Sequence, residues 1–140
     1  MDFHVIHLLA SYHKRFSHKQ NRAKNLSDTE SMICSYVYSN PNCSQEDVVS
    51  AMNADKTTVA KAVRSLEEKG YAIRVKDEVD KRVNHIRLTE EGYTIIAELT
   101  SIHGEWMEEL LSRLPAKDRQ AFESISLKLL EIAKDMTKEE

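Results

Sequence analysis

The chain has 140 residues, of which 41% are hydrophobic and 31% are charged, and its formal net charge is -3. This length fits one domain with a modest core, and no apolar run approaches the roughly 18 residues that a membrane span needs. Basic residues follow the first apolar run instead of preceding it, which excludes a typical signal peptide, so we expect a cytoplasmic protein with no membrane partner.

The N-terminal part of the chain predicts two helices. Residues 2–19 carry apolar side chains at helical spacing. A second helix is expected to begin at Ser27, because Glu30 stands three residues later as in a capping box. Residues 39–42, Ser-Asn-Pro-Asn, are a strong break that ends it.

A short helix, a turn and another helix follow. Ser44 and Asp47 mark the start of the short helix, residues 52–54 form the turn, and Asp55 can cap the next helix with a side-chain oxygen. Gly70 is expected to end that helix, since glycine readily takes the left-handed conformation. The apolar residues of this second helix recur at helical spacing and form one face: Val59, Ala62, Val63 and Leu66.

Two short β-prone runs come next, at residues 71–75 and 83–88. The segment between them, residues 76–82, is too charged to belong to a core. Together with the two preceding helices, these runs outline a winged helix-turn-helix. In that fold one helix, the recognition helix, enters the major groove of DNA, and the β-hairpin, the wing, reaches the backbone or the minor groove beside it.

The C-terminal part is again helical, with a long helix from about residue 89 to 114, an interruption at Pro115 and a last helix over residues 116–136. The expected fold class is therefore mainly α with a small β-hairpin. The helices at both ends carry more apolar side chains than a compact winged helix can cover. A second copy would bury them, and a two-fold dimer would place two recognition helices roughly 34–36 Å apart, as an inverted repeat requires.

Charge is distributed unevenly along the chain. Residues 1–89 hold 14 Lys/Arg and 11 Asp/Glu, a balance of +3, whereas residues 90–140 hold 6 and 12, a balance of -6. A DNA-facing part joined to a part that does not face DNA would produce this asymmetry. Chance variation in surface charge is the alternative.

The most specific motif is the run from Asp80 to Gly92, DKRVNHIRLTEEG. At every fixed position it is similar to the wing signature of the MarR family of transcriptional regulators, D-x-R-x-x-x-I-x-L-T-x-x-G. Residues 66–71, followed by Arg74, resemble the end of the family's recognition helix and its first wing strand. Residues 44–47 resemble the start of the preceding helix. The order of predicted elements around these motifs is also similar to the family's, and in this sense the resemblance extends over nearly the whole chain.

This resemblance implies a single domain over residues 1–140. The winged helix would occupy about residues 27–89, and dimerisation helices would occupy about residues 1–26 and 90–140. The resemblance further implies a homodimer that binds an inverted repeat in double-stranded DNA and acts as a repressor, less often as an activator.

In this family a small molecule, such as an aromatic or phenolic effector, or oxidation changes the affinity for DNA. An effector bound between the dimerisation helices and the winged part would change the spacing of the recognition helices. The chain departs from the family at Ala60, where many members have Thr or Ser before the basic residue, so base preference cannot be copied from relatives.

Arg82 is the first choice for a wing contact, because arginine can enter a narrow minor groove or hold a phosphate with two hydrogen bonds. Asp80 could orient Arg82 by a salt bridge, as the family pattern implies. The full set of candidate DNA-binding residues carries cationic, hydroxyl or amide groups on the two helices and the wing: Gln45, Lys56, Thr57, Thr58, Lys61, Arg64, Arg74, Lys76, Lys81 and Arg82.

Several of these candidates have a structural alternative. Thr57 or Thr58 could support the start of the recognition helix, and Arg74 could brace the wing. Lys76 and Lys81 could simply be exposed to solvent.

A redox- or metal-sensing regulator on the same frame is one alternative function. Cys34 is expected to be half-buried in a helix and Cys43 to be more exposed near a loop, and ordinary packing is favoured over a redox switch. The histidines of the first helix, His4 and His7 among them, lack the ligand pattern of zinc-sensing members, so neither a metal nor another cofactor is expected.

Enzyme chemistry has no motif in this sequence. It contains no Gly-rich phosphate loop, no H-E-x-x-H and no nucleophile elbow, so we do not expect an enzyme. A winged-helix module that binds proteins instead of DNA is the second alternative. Such a module would lack salt-dependent binding to any duplex.

Overall fold

The structure is a computed structural model that describes residues 3–138. Its elements follow in the order α1 (Phe3–Ala23), α2 (Asp28–Ser39), α3 (Gln45–Met52), α4 (Lys56–Glu68), β1 (Ala72–Lys76), β2 (Asn84–Leu88), α5 (Glu90–Ser112) and α6 (Ala116–Lys138). The predicted mainly helical fold with a small hairpin is confirmed. The predicted limits at residues 1, 2 and 140 lie outside the described residues, and none of the described helices is long and apolar enough to cross a membrane.

The predicted helix starts are present. Ser27 and Glu30 form a capping box, in which the Ser27 side chain accepts the Glu30 N–H and the Glu30 side chain accepts the Ser27 N–H. Ser44 and Asp47 do the same at α3, and the Asp55 side chain accepts an N–H of the first turn of α4. These caps satisfy amide groups that the first turn of a helix leaves without a partner.

Left-handed residues follow the ends of α1 and α4. Gly70 follows α4 with a φ of 78°, as predicted for a residue that ends a helix. The first helix was predicted to end at residue 19 but continues to Ala23, because the sequence has no breaker before Asn25. Asn25 has a φ of 56°, and the N–H of Leu26 returns to the carbonyl of Asn21 at 2.9 Å.

The wing consists of β1, β2 and the turn between them. The strands are antiparallel, with register from Ala72 opposite Leu88 to Lys76 opposite Asn84, one residue later at each start than predicted. A third segment joins this hairpin, because the N–H of Ile86 donates to the carbonyl of Cys43 at 3.0 Å. The wing is therefore hydrogen-bonded to the segment that leads into α3.

The core lies where α2, α3, α4, β2 and the first half of α5 meet. The apolar face predicted for the recognition helix is buried in it. Cys34 and Cys43 both belong to this cluster, so the expectation that Cys34 is half-buried was wrong. Cys43 is the more exposed of the two, as expected, but it too is buried, at 7% against 0%. Pairing of the Cys43 backbone with Ile86 draws this residue into the sheet. The largest fully buried side chains include Ile33, Val37, Val48, Val59, Val63, Leu66, Ile86, Ile96 and Leu99.

The start of α5 is locked to the end of α4 through backbone contacts. The Thr89 hydroxyl donates to the carbonyl of Gly70 and accepts the N–H of Gly92, while the Thr89 N–H donates to the carbonyl of Tyr71 at 3.0 Å. A Cβ added at Gly92 would lie 2.0 Å from that Tyr71 oxygen. Gly92, the last residue of the motif L-T-x-x-G, therefore lies at a contact that leaves no room for a side chain.

Two compact units divide the chain, Met1–Ser101 and Ile102–Glu140. The first contains α1, the winged helix and the start of α5. In the second, Arg119 of α6 pairs with Glu108 of α5 at 2.7 Å and with Glu123 at 3.1 Å. None of the described residues of α6 is buried, and its exposed side chains include Phe122 and Ile125.

Candidate nucleic-acid interface

The recognition helix α4 has one buried face and one exposed face. Thr58 supports the helix start, since its N–H and its hydroxyl both donate to the Asp55 carboxylate, at 2.8 and 2.7 Å. These bonds lower the pKa of Asp55, so the cap stays charged well into the acid range. The candidate residues on this helix are all exposed: Lys56, Thr57, Thr58, Lys61 and Arg64.

Gln45 is the first residue of α3 and is half-buried. Its oxygen Oε1 is buried and has no hydrogen-bond partner in the part of the chain that the structure describes. From the same helix, Glu46 approaches the Lys56 ammonium at 3.8 Å, but both side chains are about four-fifths exposed. Such an exposed pair contributes little to stability and leaves Lys56 available.

Arg82 and Asp80 form a bidentate salt bridge in the wing turn, which we call the fork. Arg82 Nε lies 3.0 Å from Asp80 Oδ1, and Arg82 Nη2 lies 3.1 Å from Asp80 Oδ2. The Arg82 side chain is nevertheless 90% exposed, so the fork aims the guanidinium without burying it. The same bonds lower the pKa of Asp80 and raise that of Arg82, which keeps both groups charged.

Arg74 differs from the other wing candidates because Glu67, at the end of α4, engages it three times. The Arg74 guanidinium lies 2.8 and 3.0 Å from Glu67 Oε2, and its backbone N–H donates to Oε1 at 3.1 Å. This geometry favours the bracing alternative, in which Arg74 fixes β1 to the recognition helix. Lys76 and Lys81 are exposed.

A polar cluster at the base of the wing was not found from the sequence. His85 contacts the carbonyl oxygen of Asn42 through Nδ1 at 2.9 Å and Asp77 Oδ1 through Nε2 at 2.8 Å. Asn42 also accepts from Arg87 Nε at 3.0 Å. Local spacing carries no signal for this cluster, because Asn42 and His85 are 43 residues apart in the sequence.

Asp77 is the most strongly shifted carboxyl of this cluster. The N–H of Asp80, the His85 ring and the N–H of Val79 donate to Asp77 and lower its pKa to about 2. The pKa of His85 is raised by its hydrogen bonds to Asp77 and to the Asn42 carbonyl. The wing base is therefore a charged, hydrogen-bonded unit.

The cysteines offer no support for a redox switch. Burial, and secondarily the charge of Glu30, raise the pKa of Cys34 to about 12, and burial also raises that of Cys43. The reactive species is the thiolate, which both sites disfavour. Between residues 3 and 138 no group of three His, Cys, Asp or Glu side chains is arranged to hold a metal ion.

These features define a winged helix-turn-helix protein, with a recognition helix and a wing that leave cationic side chains exposed. A family model described as the MarR family matches residues 24–83. The HTH-type transcriptional regulator BilQ of Clostridium symbiosum (strain WAL-14163) is 30% identical over 94 residues, which are 67% of this chain and 65% of BilQ. The match thus spans somewhat less than two thirds of that relative.

Solved structures share the fold over the whole chain. The crystal structure of MarR aligns with a TM-score of 0.88 and 23% identity, covering 100% of this chain and 95% of that one. The Staphylococcus aureus MepR–DNA complex aligns with a TM-score of 0.75 and 22% identity, covering 94% and 97%. The family model, the curated relatives and the solved structures thus agree in supporting the MarR family, and the relatives named here are transcriptional regulators.

Proposed function

We propose that the protein is a homodimeric transcriptional repressor that binds an inverted-repeat operator in double-stranded DNA. One observation carries this proposal. The polar residues of α4 and the Arg82 side chain, which Asp80 orients, are exposed, and MepR, a protein with the same fold, was solved with DNA. Since exposed cationic side chains can neutralise phosphates or read base edges, these positions fit a DNA surface. Such a protein would act in the cytoplasm, where it has access to the chromosome.

The candidate residues divide into base-reading and backbone-binding groups. Lys61 and Arg64, on the exposed face of α4, would contact base edges in the major groove. Arg82 would enter the minor groove or hold a phosphate, oriented by Asp80. Lysines beside the grooves and the polar groups at the helix starts would contact phosphates: Gln45, Lys56, Thr57, Lys76 and Lys81.

The dimer is supported by apolar side chains that the chain leaves exposed at its ends. In α1, Val5, Ile6 and Tyr12 are each more than half exposed, and α6 exposes most of its large apolar residues. A surface of this kind in a monomer indicates a protein interface. We therefore assign about residues 1–26 and 90–140 to dimerisation and about residues 27–89 to DNA binding, in one functional domain over 1–140.

An aromatic or phenolic effector would regulate this dimer by a population shift. A ligand that binds better to one spacing of the two recognition helices favours that spacing by its difference in affinity. Only one spacing fits an inverted repeat with a fixed separation of half-sites. Release from the operator would then follow when the ligand favours the other spacing.

The test is binding to a labelled DNA fragment that contains the protein's own promoter, measured by fluorescence anisotropy over a range of salt concentrations. We expect tight binding with a steep salt dependence and weak competition by random DNA. Arg82→Ala should weaken binding by about tenfold or more and reduce the salt slope by about 2, because the homodimer loses one cationic contact from each of its two wings. An absence of salt-dependent binding to any duplex would favour the protein-interaction module instead.

A matched control is Arg113→Ala. Arg113 is 75% exposed and paired with Glu109 at 2.7 Å, as Arg82 is paired with Asp80, but it lies in the turn that follows α5, outside the proposed DNA surface. Because the Arg113 side chain is charged and exposed, unlike the apolar side chains that we assign to the dimer interface, the control should bind the operator like the wild type. Equal losses in the two variants would mean that general charge, and not the wing, sets the affinity.

A further inference from the structure

The imidazole ring of His85 lies between two hydrogen-bond acceptors. Nδ1 faces the backbone carbonyl oxygen of Asn42 at 2.9 Å, and Nε2 faces a carboxylate oxygen of Asp77 at 2.8 Å. Neither oxygen can donate a proton when Asp77 is ionised. A neutral imidazole carries one N–H and could satisfy only one of them, whereas an imidazolium donates to both. The geometry therefore favours the charged ring, which alone can donate to both oxygens.

The contact continues from the ring to the wing turn. The second carboxylate oxygen of Asp77, Oδ2, accepts the N–H of Asp80 at 2.9 Å. Asp80 in turn holds Arg82 through the fork. On its other side, His85 holds Asn42, in the turn immediately before α3. One ring thus connects the helix-turn-helix to the group that orients Arg82.

We infer that His85 is a positioning residue for DNA binding, which as an imidazolium ties the wing turn to the segment before α3 and so holds Arg82 for the DNA. This inference rests on the proposed function. Loss of the ring proton leaves one acceptor facing a lone pair, and the wing turn loses a tether. DNA affinity should therefore fall as the pH rises.

The charged groups around the His85 ring together favour its protonated form. Asp77 of the wing and Asp47 of α3 favour the imidazolium, and Arg87 of β2 opposes it. Lys76 and Glu78 line the same hollow and have opposite charges. The net effect is a raised pKa for His85, so the tether is complete at pH values below the ordinary histidine pKa and is lost as pH rises through the raised value.

The experiment measures affinity for the promoter fragment between about pH 6 and about pH 9 at constant ionic strength. Wild-type affinity should fall about tenfold for each of the two His85 rings of the dimer, about a hundredfold in all, because one unit of difference in histidine pKa between free and bound protein corresponds to about a factor of ten. His85→Gln should bind weakly with little pH dependence. His18→Gln is the matched control, because His18 pairs with Asp28 at 2.9 Å on α1 and α2, away from the wing, and should keep the wild-type pH profile.

Asp77→Asn provides a second variant that retains the size of the side chain and one of its two acceptor oxygens. Without the carboxylate charge the midpoint of the affinity curve should move to lower pH, even if His85→Gln proves unstable. The ring can also be followed without DNA, because nitrogen NMR distinguishes an imidazolium from a neutral ring. The free protein should show His85 doubly protonated at the acid end of this range, at about pH 6.

The outcomes distinguish a failure of the His85 inference from a failure of the proposed function. Parallel pH profiles for wild type and His85→Gln, or a neutral His85 ring throughout the range, would overturn the inference while leaving the proposed function intact. An absence of tight, salt-dependent binding at every pH would overturn the proposed function instead, whatever the ring titration shows.

Discussion

Gly92→Ala should destabilise the protein although it adds only one methyl group. The new Cβ would lie 2.0 Å from the Tyr71 carbonyl oxygen, 3.0 Å from its carbonyl carbon and 3.4 Å from the Leu88 Cβ. The oxygen cannot retreat freely, because it accepts the Thr89 N–H at 3.0 Å. Overpacking costs about 1–3 kcal/mol, and loss of this hydrogen bond costs about 1 kcal/mol more. Helix propensity returns at most about 1 kcal/mol.

The expected net loss is therefore about 1–3 kcal/mol in the free energy of unfolding. Urea unfolding followed by circular dichroism at one fixed protein concentration measures it. Gly104→Ala, in the same helix, is the matched control, because within the part of the chain that the structure describes no atom outside its neighbouring helix backbone lies within 4 Å of the position its Cβ would take. It should be neutral or stabilising by up to about 1 kcal/mol. If Gly92→Ala unfolded at the wild-type urea concentration or above, the Tyr71 carbonyl would not be the constraint.

Two further substitutions and one labelling experiment test other parts of the fold. Lys69→Met should cost about 2–4 kcal/mol in urea unfolding at neutral pH, because it leaves the Glu30 carboxylate, 6% exposed, without its ammonium at 2.7 Å. Burial alone would raise the pKa of Glu30, but its hydrogen bonds, above all that from Lys69, outweigh burial and lower the pKa. The cost of Lys69→Met should therefore shrink as acid protonates Glu30. A cost that does not change with pH would contradict the pairing. Ser27→Ala should cost about 1 kcal/mol through loss of the α2 cap, and an unchanged unfolding midpoint would count against that cap. Cys34 and Cys43 should react with thiol reagents at pH about 8 only after urea unfolds the protein, and rapid labelling of the folded chain would refute their burial.

The parts of the fold that sequence predicts well are those set by neighbouring residues. The capping boxes at Ser27 and Ser44, the cap at Asp55 and the turn at Gly70 all depend on atoms within four residues of each other. The limits of the elements were less accurate. The end of α1 depends on the left-handed conformation of Asn25, which a non-glycine residue adopts only occasionally and which composition does not signal.

Contacts between distant segments could not be predicted from the sequence. The pair of Lys69 and Glu30 spans 39 residues, and the contact of His85 with Asn42 spans 43. Neither arises from periodicity or motif spacing, since both depend on how the wing and α4 pack. The burial of Cys43 follows in the same way from its backbone pairing with Ile86. The candidate DNA residues on α4 could be proposed because helical spacing alone separates the buried face from the exposed one.

That separation of faces on α4 has a consequence for how this protein can evolve. The helix is held by its apolar face, by the cap at Asp55 and by Lys69 at its other end, which bonds to Glu30 and to the carbonyl of Asn25. Substitutions at Lys61 or Arg64 disturb none of these, and exposed changes of this kind usually alter stability by less than about 0.5 kcal/mol. Duplicated genes could therefore acquire new operator preferences one residue at a time, while every intermediate remains a folded protein.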